Sequence, residues 1–275
     1  MPAAPAAVIS TFRALHESGC FVLPNPWDVG GARLLARMGF KALASTSAGC
    51  AWSMGRPDGG VTLQEMLAHL VLLAEAAELP LNADFQNGFA DSPAGVAANV
   101  ALALGSGVAG LSIEDSTGRP DQPLYGFDEA TARVRAAREA IDNTGSGVVL
   151  TARAEGFLVG RPDLDETLAR LRGFAEAGAD CLYAPALPDL AAVKTVVQAA
   201  GPLPVNVLIG WGGLSVGDLA EADVRRVSVG GALARAAWGG FISAARAINE
   251  DGALPPFAPV TPFRNLNEAF AETEG

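Results

Sequence analysis

Short apolar runs in this sequence repeatedly end in a charged residue, which is followed by a glycine-containing loop and a helical stretch. Asp84, Glu114 and Arg153 each stand at the end of such a run. In α/β enzymes the catalytic groups lie at the carboxyl ends of successive parallel strands, where side chains from several strands meet. The pattern therefore predicts an arc of strand ends that binds a divalent metal ion and a small anionic substrate.

Two of these residues are carboxylates on successive predicted strands, Asp84 on the third and Glu114 on the fourth. Neighbouring strands lie about 4.8 Å apart, so the two groups can bracket one cation. Asp58, in the loop after the second strand, can reach the same point from the adjoining sector. Oxygen ligands with open positions suit Mg²⁺, which keeps several of its waters. The alternative is that these carboxylates only cap loops or pair with arginines.

Arg153 ends the fifth predicted strand, next to Glu114. A guanidinium beside a metal can clamp a carboxylate or a phosphate, although Arg153 could equally pair with Glu114 or Glu155. The segment Ser45-Thr46-Ser47 ends the second strand with three hydroxyl groups and exposed loop amides, enough to hold a second carboxylate. Serine and threonine clusters also begin loops for purely local hydrogen-bonding reasons. Both alternatives stay open from the residues alone.

Glycine-rich segments after the seventh and eighth predicted strands, Gly210–Gly213 and Gly230-Gly231, form a rival site. Many barrels bind phosphate there, on loop amides and a helix N-terminus, although glycines also serve tight strand-to-helix turns. His16 and His69 fall on predicted helices, away from the strand ends, and Cys50 is expected to be a buried small side chain. A mechanism based on histidine or a thiolate is therefore poorly supported.

The bulk properties exclude several classes of partner. The chain has 275 residues, a formal net charge of −11 and a pI near 4.6, which argues against a nucleic-acid or anionic-membrane surface. Its three cysteines are far apart and form no CxxC pair, so a reduced, cytoplasmic location is expected. We also expect neither a signal peptide nor a membrane span, because no apolar run reaches about 18 residues.

Apolar runs and helical segments alternate along the chain. Strands are predicted at residues 20–23, 42–45, 81–85, 110–114, 148–153, 181–184, 204–209 and 226–229. Their unbroken hydrophobicity is typical of parallel strands buried on both faces, and a repeat of about 30 residues suits short connections. Eight such units predict a (β/α)8 TIM-type barrel over residues 1–250. Residues 251–275 are predicted to be an extension with a helix at 263–273, and residues 47–60 and 116–126 to be long loops.

Several short motifs occur together in a fixed order between about residue 20 and residue 250. They are Pro26-Trp27-Asp28, Gly55-Arg56-Pro57-Asp58, Ala83-Asp84 with Gly88-Phe89, Ile113-Glu114-Asp115, Thr151-Ala152-Arg153 and Asp165-Glu166-Thr167. In type, order and spacing they resemble the isocitrate lyase/phosphoenolpyruvate mutase superfamily. The motifs are specific to that superfamily rather than to one of its members.

The resemblance implies a barrel whose last helix is swapped between subunits, with dimers assembled into tetramers. It implies Mg²⁺ held by Asp84 and, largely through water, by Asp58 and Glu114. It also implies a small 2-oxo mono- or dicarboxylate substrate, and the candidate residues for binding it are Trp27, Ser45, Thr46, Ser47, Arg153 and Asn206. Arg153 and Asp58 are the catalytic candidates. Members of the superfamily make or break C–C or P–C bonds beside a carbonyl group, through an enolate that the metal stabilises.

The sequence also departs from the family pattern at three places. Gln86, a neutral and weaker ligand, stands where the family usually has the second aspartate of an Asp-x-Asp pair. The loop Asp115–Pro120 has neither the cysteine nor the histidine of the lyases, and Pro185 replaces a glutamate of theirs. Three hypotheses follow: C–C lysis or decarboxylation of an acid such as oxaloacetate, pyruvate or 2-oxoglutarate; P–C bond chemistry; or a 2-oxo-acid binding protein that has lost catalysis.

Overall fold

A computed structural model describes residues 3–210, 213–252 and 261–271. Eight parallel strands form one sheet, which helices surround, and two further strands form a small hairpin. The strands are β1 (Phe21–Leu23), β2 (Leu43–Ala44), β3 (Leu81–Asp84), β4 (Gly110–Glu114), β5 (Ser116–Arg119), β6 (Gln122–Leu124), β7 (Val149–Arg153), β8 (Cys181–Tyr183), β9 (Val205–Leu208) and β10 (Arg226–Ser228). The helices are α1 (Ala6–Ala14), α2 (Val29–Arg37), α3 (Ser47–Ser53), α4 (Leu63–Ala77), α5 (Pro93–Leu104), α6 (Phe127–Asp142), α7 (Leu164–Glu176), α8 (Leu190–Ala200), α9 (Val216–Glu221), α10 (Ala232–Asp251) and α11 (Phe263–Phe270). The predicted (β/α)8 barrel is confirmed.

The sheet runs in the order β1-β10-β9-β8-β7-β4-β3-β2, so β1 and β2 must meet to close the barrel. The Ala44 amide donates to the Pro24 carbonyl at 3.0 Å across this seam. Beside it, the buried Asn25 side chain donates to the Ser45 carbonyl at 2.8 Å and accepts from the amides of residues 229–230 at 2.9 and 2.8 Å. One asparagine thus joins the carboxyl ends of β1, β2 and β10.

Helix α1 closes the opposite end of the barrel, where the strands begin. Phe12 is fully buried there, and a Cβ atom on Gly110 would lie only 2.6 Å from its ring. No larger residue fits at the start of β4, so the glycine lets the helix seat closely. His16 stacks edge-on against Phe12 and Phe21, with ring centroids at 4.8 and 5.0 Å. The floor of the barrel is therefore sealed by packed rings.

The helix starts follow the capping residues that the sequence indicates. The hydroxyl of Thr62 accepts from the Glu65 amide at 3.3 Å, and the Glu65 carboxylate accepts from the Thr62 amide at 2.9 Å. Together they form the predicted capping box at the start of α4. Ser92 caps α5 in the same way, accepting from the Gly95 amide at 3.1 Å, with Pro93 at the first helical position.

Two segments predicted as long loops contain regular structure. Residues 47–60 begin with α3, because the Thr46 hydroxyl caps its N-terminus by accepting from the Gly49 amide at 3.2 Å. The segment is too short and too rich in small residues to show helical periodicity. Residues 116–126 contain the β5–β6 hairpin, in which Thr117 bonds to the carbonyl of Gln122 across the turn. The predictions of plain loops there were wrong.

Helix α10 is poorly covered for its length, because only Ala234 is buried among its residues 232–250. Phe241, Ile242 and Ile248 are 63%, 45% and 52% exposed. Helix α11 lies on α2, where the Arg37 guanidinium donates to the Ala271 carbonyl at 2.6 Å. The predicted end of α11 at residue 273 lies outside the described residues, as does the proline-containing segment 254–256. Among the helices that are described, none is both long and apolar enough to cross a membrane.

Candidate active site

The strand ends bring three predicted site residues together. Glu114 and Arg153 are register partners on β4 and β7, and Asp84 ends β3 on the other side of β4. The Arg153 guanidinium contacts Asp84 Oδ1 at 2.7 Å and Glu114 Oε2 at 3.5 Å. Arg153 is only 13% exposed, and each of the two carboxylates is 17% exposed. The arrangement is a largely buried group of opposite charges at the carboxyl end of the barrel.

Glu155 is a fourth member of this group that the sequence presented only as an alternative partner for Arg153. Its Oε1 accepts from Arg153 Nε at 2.8 Å, and the side chain is 2% exposed. The Glu155 amide donates to Asp115 Oδ1 at 2.8 Å, and Arg170 holds the other oxygen of Asp115 at 3.0 Å. This buried pair fixes the backbone after β7. The only sequence signal was the spacing of two residues from Arg153, immediately after the apolar run.

Asp58, Asp84, Glu114 and Glu155, here called the acidic cluster, outnumber the single guanidinium of Arg153. Burial raises the pKa of Glu114 well above its usual range, against the opposing attraction of Arg153. Burial also raises the pKa of Glu155, and burial together with the charge of Asp84 raises that of Asp58. The surplus negative charge is therefore poorly compensated by the protein itself.

Ser45 and Ser47 hold the acidic cluster in position. The Asp84 amide donates to Ser45 Oγ at 2.8 Å, and the Ser47 amide donates to Asp84 Oδ2 at 2.8 Å. The Ser47 hydroxyl donates to Asp58 Oδ1 at 3.3 Å. The Ser47 amide, predicted to bind a substrate carboxylate, therefore contacts Asp84 instead. Ser45 lines the adjoining cavity, and its own hydroxyl hydrogen is not used in the contact with Asp84.

The residues present fit a divalent cation. Among residues 3–210, 213–252 and 261–271, no three histidine, cysteine or acidic side chains are arranged to ligate one ion directly. Mg²⁺ commonly takes only one or two carboxylates and keeps its remaining ligands as water or substrate oxygens. Each oxygen of Asp84 makes one contact, to Arg153 or to Ser47, which leaves lone pairs for an ion. A doubly charged ion would offset much of the surplus charge of the acidic cluster.

Two cavities adjoin the acidic cluster. The inner chamber, of about 210 Å³, extends into the barrel, and the outer cavity, of about 570 Å³, lies towards the β5–β6 hairpin. Asp58 and Arg153 line both. The walls of the inner chamber include Asn25, Ser45, Thr46, Ser47, Asn82, Asp84, Ser112, Tyr183, Asn206, Arg226, Ser228, Gly230 and Gly231.

Most of the other sequence-predicted residues line the inner chamber. Asn206 and Thr46 line the inner chamber, whereas Trp27 is not among its lining residues and packs its Cβ beside Gly49 in α3. Gly230-Gly231, proposed as part of a rival phosphate site, lines the same chamber. Its companion Gly212 lies outside the described residues.

Gln86, the main departure from the family pattern, lies at the outer cavity beside Glu114. Its backbone has a φ of 49°, a left-handed conformation that is uncommon for residues other than glycine. The Gln86 carbonyl accepts from the Glu114 amide at 3.0 Å. This contact couples the strained backbone after β3 to the end of β4.

The deep end of the inner chamber contains a second arginine. Arg226 begins β10 and is 2% exposed. It donates to Asn206 Oδ1 and to Thr151 Oγ1, each at 2.9 Å, and it contacts His16 Nε2 at 3.3 Å. His16 Nδ1 lies 2.8 Å from the Phe12 carbonyl, so it is the nitrogen that carries the proton, and Nε2 accepts from Arg226. Sequence reasoning missed Arg226 because it stands at the start of a strand.

We expect His16 to make folding less stable in mild acid. Burial and the neighbouring charge of Arg226 lower the pKa of His16 to about 3. Between pH 6.5, the ordinary pKa of histidine, and about pH 3, the unfolded chain binds a proton that the folded protein does not. The free energy of unfolding therefore decreases by about 1.4 kcal/mol for each unit by which the pH is lowered in this range. Urea unfolding of the wild type and His16→Gln at pH 7, 6 and 5 measures this. The variant should show a slope shallower by that amount, and equal slopes would contradict the assignment.

An α/β barrel with a buried carboxylate–guanidinium group at the carboxyl ends of its strands is the architecture of a barrel enzyme. The family model for phosphoenolpyruvate phosphomutase matches residues 12–249. The chain belongs to this family, and the predicted membership of the isocitrate lyase/phosphoenolpyruvate mutase superfamily is confirmed.

Individual relatives agree with this placement. The crystal structure of a candidate lyase/mutase from Burkholderia cenocepacia J2315 superposes with a TM-score of 0.94 at 48% identity, covering 97% of each chain. An uncharacterised protein of Mycobacterium tuberculosis is 33% identical over 90% of this chain and 93% of its own. The 2-methylisocitrate lyase of Escherichia coli K12 is 32% identical over 70% of this chain and 71% of its own. The chain is thus an enzyme of a superfamily that includes carbon–carbon lyases.

Proposed function

We propose that the protein is a Mg²⁺-dependent enzyme that makes or breaks a C–C bond in a small 2-oxo carboxylate through an enolate. The observation that carries the proposal is the acidic cluster, in which Asp84, Glu114 and Glu155 contact Arg153. Asp58, its fourth member, lines both cavities together with Arg153. The named lyase among its relatives supports C–C chemistry. Oxaloacetate, pyruvate and 2-oxoglutarate are the first substrates to test.

Each member of the site has a distinct role in this proposal. Asp84 would hold the ion directly, and Asp58 and Glu114 would hold it largely through water. When bound, Mg²⁺ supplies positive charge against the charge that develops on the carbonyl oxygen as the enolate forms. Ser45 and the Thr46 amide hold the carboxylate beside that carbonyl, and Arg153 lies on its other side.

Arg153 is well prepared for this task. Burial alone would lower its pKa, but the charges of Glu155, Glu114 and Asp84 raise it well above the usual range, so the guanidinium stays charged. Its Cζ atom lies 5.0 Å from the centre of the Tyr183 ring, which fixes the plane of the group. Asp58, whose pKa burial raises and which lines both cavities, is the carboxylate that we assign to hold or move a proton.

The direct test is a panel of 2-oxo acids incubated with the protein in MgCl₂ and, in parallel, in EDTA. Loss of substrate and formation of its cleavage products, followed by NMR, should occur only with the metal. Binding of the same acids is measured by calorimetry. The absence of both turnover and binding across the panel would reject the proposal.

Two alternatives keep specific support. P–C bond chemistry is favoured by the family model itself, which is that of phosphoenolpyruvate phosphomutase, and ³¹P NMR of phosphoenolpyruvate and phosphonopyruvate incubated with the protein tests it. A binding protein without catalysis is favoured by Gln86 and by Ser116, Thr117 and Gly118, which line the outer cavity where the lyases carry cysteine and histidine. Tight binding of a 2-oxo acid without turnover would select that alternative.

The exposed apolar face of α10 supports the predicted exchange of this helix between subunits. A 20-residue helix is about 30 Å long, and its face contains Phe241, Ile242 and Ile248, all largely exposed in the single chain. Apolar area of this kind on the last helix of a barrel is covered when two subunits exchange helices. We therefore include a helix-swapped dimer, paired into a tetramer, in the proposal.

Phe241→Glu is expected to shift the protein to monomers, because it buries a charge in the exchanged interface. Size-exclusion chromatography with light scattering measures the mass of the wild type and the variant at the same concentration. Met38→Glu is the matched control, since Met38 directly follows α2 and is 71% exposed; it should keep the wild-type mass. An unchanged mass for Phe241→Glu would argue against helix exchange.

A further inference from the structure

We propose that Arg226 forms a second anion-binding subsite at the floor of the inner chamber, where it binds the distal carboxylate of a 2-oxo dicarboxylate. The inference rests on the proposed function, which places the 2-oxo carboxylate end of the substrate at Arg153 and the acidic cluster. It narrows the substrate class from mono- or dicarboxylates to dicarboxylates, and it sets the direction in which the substrate enters.

The hydrogen bonding of Arg226 leaves capacity for a ligand. A guanidinium has five N–H donors. Asn206, Thr151 and His16 each accept one of them, so two remain. Arg226 is among the residues that line the inner chamber, and an anion there could accept the remaining donors in the bidentate way that suits a carboxylate.

All the partners of Arg226 are neutral. Asn206 and Thr151 carry no charge, and His16, with a pKa of about 3, is uncharged at neutral pH. In the part of the chain that the structure describes, Arg226 forms no ion pair. A buried charge without a counter-ion is unfavourable. An anionic ligand would therefore be stabilised more strongly at Arg226 than at an arginine that already has acidic partners.

Arg153, in contrast to Arg226, already has acidic partners, since three carboxylates contact it. The guanidinium of Arg226 also lies deeper in the barrel than that of Arg153, because it reaches Thr151, two residues before Arg153 on β7. The chamber is negative near its mouth and positive at its floor. A ligand with two separated carboxylates matches this polarity, provided that a cation offsets the acidic cluster.

The chamber suits a small polar occupant. Its volume of about 210 Å³ equals that of about seven waters at about 30 Å³ each, the size class of a short organic acid. Between the two arginines its walls carry the polar side chains of Asn82, Ser112, Asn206 and Ser228. These can hydrogen-bond the middle of a short acid, and Leu23, Leu158 and Leu208 also line the chamber beside them.

Matched pairs of acids test the subsite. Oxaloacetate and 2-oxobutyrate share a four-carbon chain and differ in a terminal carboxylate or methyl group; 2-oxoglutarate and 2-oxopentanoate form the five-carbon pair. Affinity is measured for all four in MgCl₂, by calorimetry or, for an acid that turns over, as KM and kcat separately. For at least one pair the wild type should prefer the dicarboxylate by about 10- to 100-fold, the range expected for hydrogen bonds to a charged group.

The variant Arg226→Met removes the charge at similar length, and the ratio of affinities within the preferred pair should fall towards one. Arg225→Met is the matched control: this neighbouring arginine is 33% exposed, pairs with Asp223 at 3.8 Å, and should leave the ratio at its wild-type value. If Arg226→Met fails to fold, Arg226→Lys and a wild-type crystal soaked with the preferred dicarboxylate replace it. In that crystal the distal carboxylate of the dicarboxylate should lie within hydrogen-bonding distance of Arg226.

The outcomes separate the two proposals. The subsite is overturned if wild-type protein binds the monocarboxylates as tightly as the matching dicarboxylates. It is also overturned if a soaked dicarboxylate has both carboxylates near the acidic cluster. Either result leaves the proposed function intact. An Arg226→Met variant that keeps the wild-type ratio also overturns the subsite. Failure of wild-type protein to bind any of the four acids with Mg²⁺ overturns both.

Discussion

Asp84→Asn is expected to lower kcat/KM for the preferred 2-oxo acid by at least about a hundredfold, because it removes the charge of the predicted direct metal ligand. The amide oxygen that remains can still accept from the Ser47 amide, which lies 2.8 Å from Asp84 Oδ2. The local fold should therefore persist. Steady-state turnover at several Mg²⁺ concentrations measures the loss, which higher Mg²⁺ should restore only in part.

The same variant gives a second readout that is independent of the substrate. In the proposed function Mg²⁺ binds the folded protein and not the unfolded chain, so it should raise the melting temperature of the wild type. This rise should be largely absent in Asp84→Asn. The control is Asp121→Asn, which changes an exposed aspartate in the turn between β5 and β6 and should behave as the wild type. An Asp84→Asn variant with wild-type Mg²⁺ stabilisation would show that the metal, if bound, lies elsewhere.

Arg153→Met is expected to abolish turnover and also to destabilise the fold by about 3 kcal/mol, because removing one partner leaves buried charges uncompensated. Glu155 and Asp84 lie 2.8 and 2.7 Å from this guanidinium, and both are largely buried. The variant thus loses the one cation of the group while all of its carboxylates remain. Urea unfolding and turnover assays measure the two effects.

The pH dependence of this variant distinguishes electrostatic loss from a packing defect. Burial already raises the pKa of Glu114 and of Glu155 in the wild type, and loss of Arg153 raises both further. A carboxyl group whose pKa is higher in the folded state holds a proton that the unfolded chain releases, so stability falls as pH rises above about 4.5. The destabilisation should be smaller at pH 5 than at pH 8. Arg172→Met, on an exposed position of α7, is the control, and a deficit independent of pH would indicate packing instead.

The barrel was predictable because its strands are largely buried and read as short, mainly apolar runs between helical segments, although Asn82, Asn206 and Arg226 interrupt them. The Thr62–Glu65 capping box and the Ser92-Pro93 pair are local signals that need no tertiary contact, which is why those helix starts were predicted correctly. Helix α3 also begins at a capping threonine, but its seven residues are too few and too small to show helical periodicity. The strands of the β5–β6 hairpin have only four and three residues, too few to show a clear alternation.

The site was predictable where position in a strand decides proximity, as for Asp84, Glu114 and Arg153. The site was not predictable where the length of a side chain, rather than its position in a strand, decides which groups lie close together. Arg226 begins its strand, at the end of the barrel that usually serves stability, yet its long side chain lines the inner chamber. Ser47 shows a further limit, since sequence identified its amide as a binding group but not that Asp84 already occupies it.

The sealed floor of the barrel has a kinetic consequence. Phe12 packs against Gly110, and His16 lies against Arg226, so these side chains cover the end of the inner chamber that faces α1. If a substrate is cleaved while one end lies against Arg226, the fragment nearer the mouth must depart before the deeper one can follow. Product release would then be ordered, and the deeper fragment alone would act as a competitive inhibitor. In such a chamber the orientation in which the substrate binds determines the order in which the products leave.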